Sequence, residues 1–155
     1  ALVVCQRVLC SSGSTSRSET MAVDVPQWLD KSFLTVCLND GEEKSDLTVY
    51  SFEVSSLLPP GNNYGSLLLR VKVVYRTNGK VRDQSLVIKH LTGHNKVTQI
   101  FDKLYEKEPY FYNEYLPEAL KVTGDLPVPK PFQSPIPDVI VLEDLSIEGY
   151  KMADR

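Results

Sequence analysis

Apolar and polar residues alternate through the middle of the chain, which is the pattern of β-strands that bury one face. The stretch 46–58 alternates with one interruption, because the apolar parity shifts between Val49 and Phe52. Such a shift indicates a β-bulge or two abutting strands. The stretch 66–76 alternates throughout, so one of its faces is apolar and the other is mixed. The apolar parity of this second strand consists of Leu67, Leu69, Val71, Val73 and Tyr75.

The dipeptide Asn78-Gly79 follows the second strand and predicts a two-residue type I′ hairpin turn. With that turn, Leu68 lies opposite Lys89 on the mixed face of the two strands. Lys89 directly follows three apolar residues, and a buried ammonium without a partner costs roughly several kcal/mol or shifts its pKa. We therefore expect Lys89 to have an acidic partner.

Two regions have apolar residues at helical spacing. Residues 25–39 predict a packing helix that is capped by Asp24 and has Pro26 in its first turn. Residues 97–104 predict a second helix, and Pro109 is expected to kink or restart it.

The end of the chain is predicted to be extended. Five prolines between residues 127 and 137 predict a connector, since proline is excluded from helix interiors. Residues 139–142 form a short apolar run that predicts a buried strand. With strands and helices interspersed and no internal repeat, the sequence predicts an α+β fold.

Composition excludes several classes of function. The chain has 155 residues, a formal net charge of −3 and 42 % hydrophobic residues, enough for one compact core or one lobe of a larger protein. No apolar run approaches the roughly 20 residues that span a bilayer, and no dense Lys/Arg cluster suits nucleic acid. Three cysteines without a CxxC pair are interpreted as reduced thiols. We predict a cytoplasmic protein without a membrane span or a nucleic-acid partner.

Residues 1–20 differ from the sequence that follows them. They contain only short apolar pieces and run into a stretch rich in Ser, Thr and Gly, which is typical of disorder. Met21 then has the position of a natural start. We expect residues 1–20 to be a disordered or non-native extension, and a degraded signal or transit peptide is the alternative.

The order of the elements indicates a function. A strand, a Gly-containing loop at 61–66, a strand, a hairpin, a strand bearing Lys89 and a helix bearing an acid form the N-terminal lobe of a kinase-type phosphotransferase. Such chemistry needs backbone N–H groups over the phosphates, a cation on their oxygens and an acid that holds the cation. Lys89 is the predicted cation and Glu108 its partner, with Glu114 as a competing candidate. Each feature alone has a purely structural interpretation; a lysine in a strand, for example, usually reaches solvent. The prediction rests on the order in which the features occur.

Two other pairs of residues have side chains that are common in metal or catalytic sites, but their positions in the sequence do not give the geometry that such sites need. His90 and His94 have the spacing of a zinc pair, but Gly93 favours a loop and no third ligand is near. Glu143 and Asp144 have the composition of an acid/base pair, but adjacent residues of an extended segment point in opposite directions. We predict neither a metal site nor a catalytic carboxylate pair.

Four stretches of the sequence resemble the insect ecdysteroid kinase-like proteins, also called choline-kinase-like or juvenile-hormone-inducible proteins, which are relatives of aminoglycoside phosphotransferases. The most specific stretch is VLEDLS-x-x-GY-x-x-x-DR, and the resemblance covers Met21 to Arg155. The family's loop reads G-x-N-Y-x-S where protein kinases have G-x-G-x-x-G. The other three stretches are PPGNNYGSLLLRVKVVY, SLVIKH and EPYFYNEYLP.

The resemblance implies an ATP site with three parts. The residues over the phosphates are Gly61, Asn63, Tyr64, Gly65 and Ser66. Leu68 and Val87 line the adenine pocket, and Leu142 stands at its back wall. The backbone of Glu143 and Leu145 bonds the adenine edge as the inter-lobe hinge.

The resemblance also implies a kinase-like N-lobe at 21–145, a twisted antiparallel sheet with flanking helices, and an inter-lobe segment that begins at 146–155. The family's catalytic base and its ligands for Mg²⁺ are expected beyond Arg155, so we expect a truncated product or fragment that is inactive alone. ATP is the implied cofactor, and the acceptor is a hydroxylated small molecule, with an ecdysteroid as a candidate. The alternative is a stand-alone pseudokinase-type binding module.

Overall fold

The computed structural model of the protein describes residues 5–7, 25–39, 46–57, 66–91, 107–124, 126 and 128–152. The strands among them are β1 (Cys5–Arg7), β2 (Thr48–Ser56), β3 (Ser66–Thr77), β4 (Lys80–Leu91), β5 (Pro131–Phe132), β6 (Val139–Glu143) and β7 (Tyr150–Met152). The helical segments are α1 (Lys31–Asn39), α2 (Lys107–Tyr110), a π-helix (Phe111–Tyr115), α3 (Leu116–Thr123) and a 3₁₀-helix (Leu145–Glu148).

Five of the strands form one antiparallel sheet in the order β2-β3-β4-β6-β5. The two remaining strands, β1 and β7, pair with each other in an antiparallel ribbon. Helices flank the larger sheet, so the predicted α+β fold with an antiparallel sheet is confirmed. No helix of the described residues is both long and apolar enough to cross a membrane.

The predicted hairpin between β3 and β4 is present with the predicted register. Asn78 and Gly79 form its turn with φ angles of 51° and 70°, as a type I′ turn requires. Leu68 lies opposite Lys89, and Leu69 lies opposite Ile88. Because side chains alternate between the two faces of a strand, this register decides which residues share a face with Lys89.

The predicted irregularity in β2 is also present, as a register shift between Val49 and Ser51. Val49 is buried before the shift, and Phe52 and Val54 pack against the core after it. One inserted residue therefore keeps apolar side chains on the core side although the sequence parity changes.

The main core lies between the apolar face of the sheet and α1. Its fully buried strand residues are Leu69, Val71, Val73, Leu86, Ile88, Val139 and Val141. From α1, Phe33, Leu34, Cys37 and Leu38 pack against the same cluster. Cys37 is a small core residue: its thiol is free, and burial raises the pKa of the thiol to about 12.

The predicted start of α1 is wrong. The helix begins at Lys31, and the carboxylate of Asp30 accepts from the N–H of Phe33 at 2.8 Å as its cap. Upstream, the N–H of Leu29 donates to the carbonyl of Pro26 at 3.0 Å, which closes a turn. Trp28 in that turn packs on the ring of Phe33 at 5.0 Å. The apolar spacing before residue 31 reflects this turn rather than helix.

The segment from α2 to α3 continues through two prolines. Pro109 lies in α2 and is buried. Pro117 lies in the first turn of α3, and the N–H of Leu116 donates to the carbonyl of Phe111 across the wider π turn. A proline ring clashes with the carbonyl four residues earlier, and a π turn adds the room that it needs. The helix predicted at 97–104 lies outside the described residues.

The predicted proline-rich connector is only partly irregular. Pro131 and Phe132 form the edge strand β5 against β6, a position where a missing N–H is tolerated. Strand β6 is one residue longer than predicted and ends at Glu143. The prediction for residues 1–20 falls outside the described residues except for Cys5–Arg7, which pair with Tyr150–Met152, and it stays a prediction.

Candidate functional site

The mixed face of the sheet carries Leu68, Val87, Lys89 and Leu142, four of the residues that the sequence singled out. Val87 of β4 lies opposite Leu142 of β6, and Lys89 of β4 lies opposite Leu68 of β3. The three apolar side chains among them are half-buried. The hairpin register and the β4–β6 pairing thus place an apolar surface beside the ammonium of Lys89.

Lys89 makes the predicted ion pair, and its partner is Glu108. The ammonium nitrogen lies 2.6 Å from Oε2 of the carboxylate, while Glu114 is exposed on the same helical segment. The Lys89 side chain lies between Leu68 of β3 and the buried Ile140 of β6. This pair joins the middle strand of the sheet to α2.

The ion pair is only partly removed from water. The side chains of Lys89 and Glu108 are 25 % and 32 % exposed, respectively. A lysine ammonium has three donors, and one of them reaches Glu108. An ammonium held in place by a carboxylate, yet still open to solvent, suits the binding of a second anion.

Tyr112 and Asn113 connect the π-helix to its surroundings. Burial, together with the negative charge of Glu108, raises the pKa of Tyr112, so its phenol stays protonated at neutral pH. The amide nitrogen of Asn113 donates to the carbonyl oxygens of Pro137 and Val139 at 3.4 and 3.3 Å. These bonds fix the helical segment against the start of β6 and thereby hold Glu108 over the sheet.

A second charged cluster lies on the same face, at the end of β6, around Asp144. Arg70 Nε donates to Asp144 Oδ2 at 2.7 Å, and Ser85 Oγ donates to the same oxygen at 2.8 Å. The backbone N–H and the hydroxyl of Ser146 donate to Asp144 Oδ1 at 3.1 and 2.6 Å. Arg70 also donates to the hydroxyl of Ser146 at 3.0 Å. We call these four residues the Asp144 network.

The network keeps the Asp144 carboxylate ionised. Burial by itself raises the pKa of this group, but the hydrogen bonds from Ser146, Ser85 and Arg70 outweigh burial, so its pKa lies below the ordinary value of 3.8. Asp144 is also the N-cap of the 3₁₀-helix. The carboxylate is a buried structural anion and not a general acid.

Sequence reasoning missed the Asp144 network. The motif Asp144-Leu145-Ser146 has the form of a helix cap, and that signal was present in the sequence. The alternation in β3 puts Arg70 on the mixed face, but nothing in the sequence pairs it with a residue 74 positions away.

The predicted hinge residues lie directly beside this network. The N–H of Glu143 donates to the carbonyl of Lys130 at 2.9 Å, so its backbone carbonyl is the group left to consider for a ligand. Leu145 begins the 3₁₀-helix, where the N–H has no role within the helix. One acceptor and one donor two residues apart are the kinds of backbone group that can bond the edge of a purine.

The predicted phosphate-covering residues are only partly visible. Ser66 is the first residue of β3 and lies opposite Leu91. Gly61, Asn63, Tyr64 and Gly65 lie outside the described residues.

Only His90 of the histidine pair lies within the part of the chain that the structure describes. The ring of His90 packs edge-on against Trp28 at 5.2 Å, which is a packing role, and His94 lies outside the described residues. Within the described ranges, no three His, Cys, Asp or Glu side chains come together as metal ligands.

Comparison with known proteins identifies a family. The family model described as "Ecdysteroid kinase-like family" matches residues 60–155, which is more than half of the chain. No curated protein and no solved structure matches the chain. The matched range includes Lys89, Glu108 and the whole Asp144 network.

Proposed function

Because the chain belongs to the ecdysteroid kinase-like family, we propose that it provides the nucleotide-binding lobe of an ATP-dependent small-molecule O-phosphotransferase. The observation that carries the proposal is the 2.6 Å ion pair between Lys89 and Glu108 on the mixed face. Family membership supports kinase-like phosphotransfer in general, and the ion pair supplies the group that such chemistry needs at the phosphates.

Lys89 and Glu108 have different roles in this proposal. Lys89 contacts phosphate oxygens and holds them in a fixed position, because transfer depends on alignment and on neutralised charge. Glu108 touches no substrate; it holds the lysine on the mixed face, where the side chain would otherwise turn into solvent. Ser66 and the residues Gly61, Asn63, Tyr64 and Gly65 are proposed to cover the phosphates from above.

The base of the nucleotide is proposed to lie on the apolar part of the same face. Leu68, Val87 and Leu142 provide a half-buried apolar surface there. The backbone carbonyl of Glu143 accepts from the base and the N–H of Leu145 donates to it. Apolar walls with a few placed polar groups are the usual composition of a cofactor site.

Mg²⁺ is proposed to accompany ATP, where it neutralises charge on the phosphates. Its ligands are not proposed among the described residues, where no three His, Cys, Asp or Glu side chains come together. The acceptor is proposed to be a hydroxylated small molecule, with ecdysteroids as the first compounds to test. ATP-dependent transfer and reduced thiols both fit a cytoplasmic location.

The proposal is tested by titrating the 155-residue chain with MgATP and assaying γ-phosphate transfer to ecdysteroids and choline-like alcohols. We expect saturable ATP binding that Lys89→Ala weakens by roughly tenfold or more, since one fixed charge contact is lost. Lys72→Ala is the matched control, because Lys72 is an exposed lysine on the same face of β3.

Each result has a defined meaning. Transfer that depends on Lys89 supports phosphotransfer chemistry and contradicts the expectation that the chain is inactive alone. ATP binding that requires Lys89, without transfer, is the result expected of a nucleotide-binding lobe that is inactive alone. Absence of ATP binding, or equal loss in the Lys72→Ala control, contradicts a nucleotide site at Lys89.

A further inference from the structure

The backbone proposed to read the nucleotide base lies on both sides of a single buried carboxylate. Asp144 stands between Glu143 and Leu145, and it is 4 % exposed. Its four hydrogen bonds come from residues of β3, β4 and the 3₁₀-helix. A carboxylate accepts at about four lone-pair positions, so the described donors satisfy this one completely.

Three attachments fix this segment in space. The N–H of Asp144 donates to the carbonyl of Ser85 at 3.3 Å, which holds the end of β6 against β4. The guanidinium of Arg70 comes from β3, the next strand across the sheet, and reaches both Asp144 and Ser146. The cap from Asp144 to the N–H of Ser146 sets the direction of the turn that follows. A segment tied to two strands and to its own helix has little freedom to rotate.

We propose that Asp144 is a positioning residue for base recognition: the Asp144 network holds the backbone of Glu143 and Leu145 in the conformation that reads the edge of a purine. The inference rests on the nucleotide site proposed above and names a residue that sets its selectivity without touching the ligand. Selection of ATP over GTP therefore depends on the buried carboxylate of Asp144. Binding of the phosphates at Lys89 does not depend on that carboxylate.

Binding of the base and binding of the triphosphate, measured separately, distinguish a positioning role from a merely structural one. A residue that only stabilises the fold affects base and phosphate binding together, since both decline with the folded fraction. A residue that positions the hinge changes the preference for the base and leaves triphosphate binding at Lys89 intact. Hydrogen bonds deliver selectivity only when donor and acceptor are held in place.

The experiment compares wild type and Asp144→Asn in the full 155-residue chain. Dissociation constants are measured for MgATP, MgGTP and inorganic tripolyphosphate under conditions where both proteins are folded. The asparagine keeps the size of the side chain but weakens the bond to Arg70. We expect the ATP-to-GTP affinity ratio to fall by roughly tenfold, as for one misplaced hydrogen bond, with tripolyphosphate affinity unchanged.

Two further variants guard against misfolding and against a general charge effect. Arg70→Lys keeps a cation beside Asp144 and loses the fork that also reaches Ser146, so an intermediate ratio is expected. Arg76→Lys makes the same chemical change at an exposed site on the same strand and should leave the ratio at its wild-type value.

Amide hydrogen exchange without ligand gives an independent readout. The N–H groups of Ile147 and Gly149 are bonded within the 3₁₀ turn, to the carbonyls of Asp144 and Ser146. In Asp144→Asn their exchange should accelerate about tenfold or more, while the amides of β4 keep wild-type rates.

The outcomes are distinguishable. If wild type binds ATP but Asp144→Asn keeps the full ATP preference, the positioning role is overturned and the proposed function stands. If exchange rises equally in β4, the network is only structural and the inference is overturned. If wild type binds neither nucleotide, the proposed function itself fails, and the inference about base recognition fails with it.

Discussion

Two ion pairs lie on the same face of the sheet and differ in how completely their charges are satisfied. The Asp144 side chain is 3 % exposed and accepts from Arg70, Ser85 and Ser146. Lys89 and Glu108 are 25 % and 32 % exposed, and a single 2.6 Å bond joins them within the described residues. The Arg70–Asp144 pair belongs to a network in which the carboxylate is fully hydrogen-bonded. The Lys89–Glu108 pair leaves donors of the Lys89 ammonium available to a ligand.

This difference separates a structural charge from one available for ligand binding. A buried carboxylate with all of its acceptor positions in use gains rigidity and offers nothing to a ligand. An ammonium that is aimed by one acid and still reaches water can exchange solvent for an anion at low cost. We infer that the Asp144 network shapes the site and that Lys89 works in it.

The largest expected effect comes from breaking the Asp144 network. Asp144→Ala leaves the donors of Arg70, Ser85 and Ser146 without their acceptor, so the free energy of unfolding should fall by about 2–4 kcal/mol. Urea denaturation measures this value, with Asp83→Ala as the control because Asp83 is exposed on the same face. A loss below about 1 kcal/mol in Asp144→Ala contradicts the structural role.

Breaking the Lys89–Glu108 pair should cost less. The two side chains are partly exposed, so a double-mutant cycle of Lys89→Met and Glu108→Gln should give a coupling of about 1 kcal/mol. Raising the salt concentration to about 1 M should reduce that coupling, since solvent-accessible charges are screened. Glu114→Gln in place of Glu108→Gln should give no coupling, and a coupling as large there would assign the pair wrongly.

The smallest expected effect is the pH dependence of the network, because burial offsets much of what the hydrogen bonds contribute. The folded pKa of Asp144 lies below the unfolded value, so its stabilisation is present above pH about 4 and is lost as the pH falls through the folded pKa. The difference in unfolding free energy between wild type and Asp144→Asn should be constant near neutral pH and shrink in acid. A difference that grows on acidification contradicts the direction of the shift.

The same contrast explains what was predictable from the sequence. The hairpin register and the pairing of Leu68 with Lys89 follow from a local turn, Asn78-Gly79, and from strict alternation. Glu108 was predictable because the order of strand, lysine and helix leaves few acids to choose from.

The remainder depended on contacts that the sequence does not encode locally. The Asp144 network joins residues 59 and 74 positions apart, and these meet only after β3, β4 and β6 have assembled. The start of α1 was misplaced because Asp24 and Asp30 are both candidate caps. A turn from Pro26 to Leu29 precedes the helix, so Asp30 is the residue that caps it. Residue patterns along the sequence therefore predict neither contacts that form only after the strands assemble nor the choice between competing local hydrogen bonds.

The central claim, that Lys89 lies at the phosphates of a bound nucleotide, is tested most directly by an acyl-phosphate derivative of ATP. An amine beside the phosphates attacks the acyl carbon, so an amide forms and ATP leaves. Mass spectrometry of the labelled chain should find the acyl group on Lys89, at a level that excess ATP suppresses and Glu108→Gln reduces. Labelling that ATP does not suppress and that falls only on exposed lysines such as Lys72, Lys107 and Lys121 would contradict the claim.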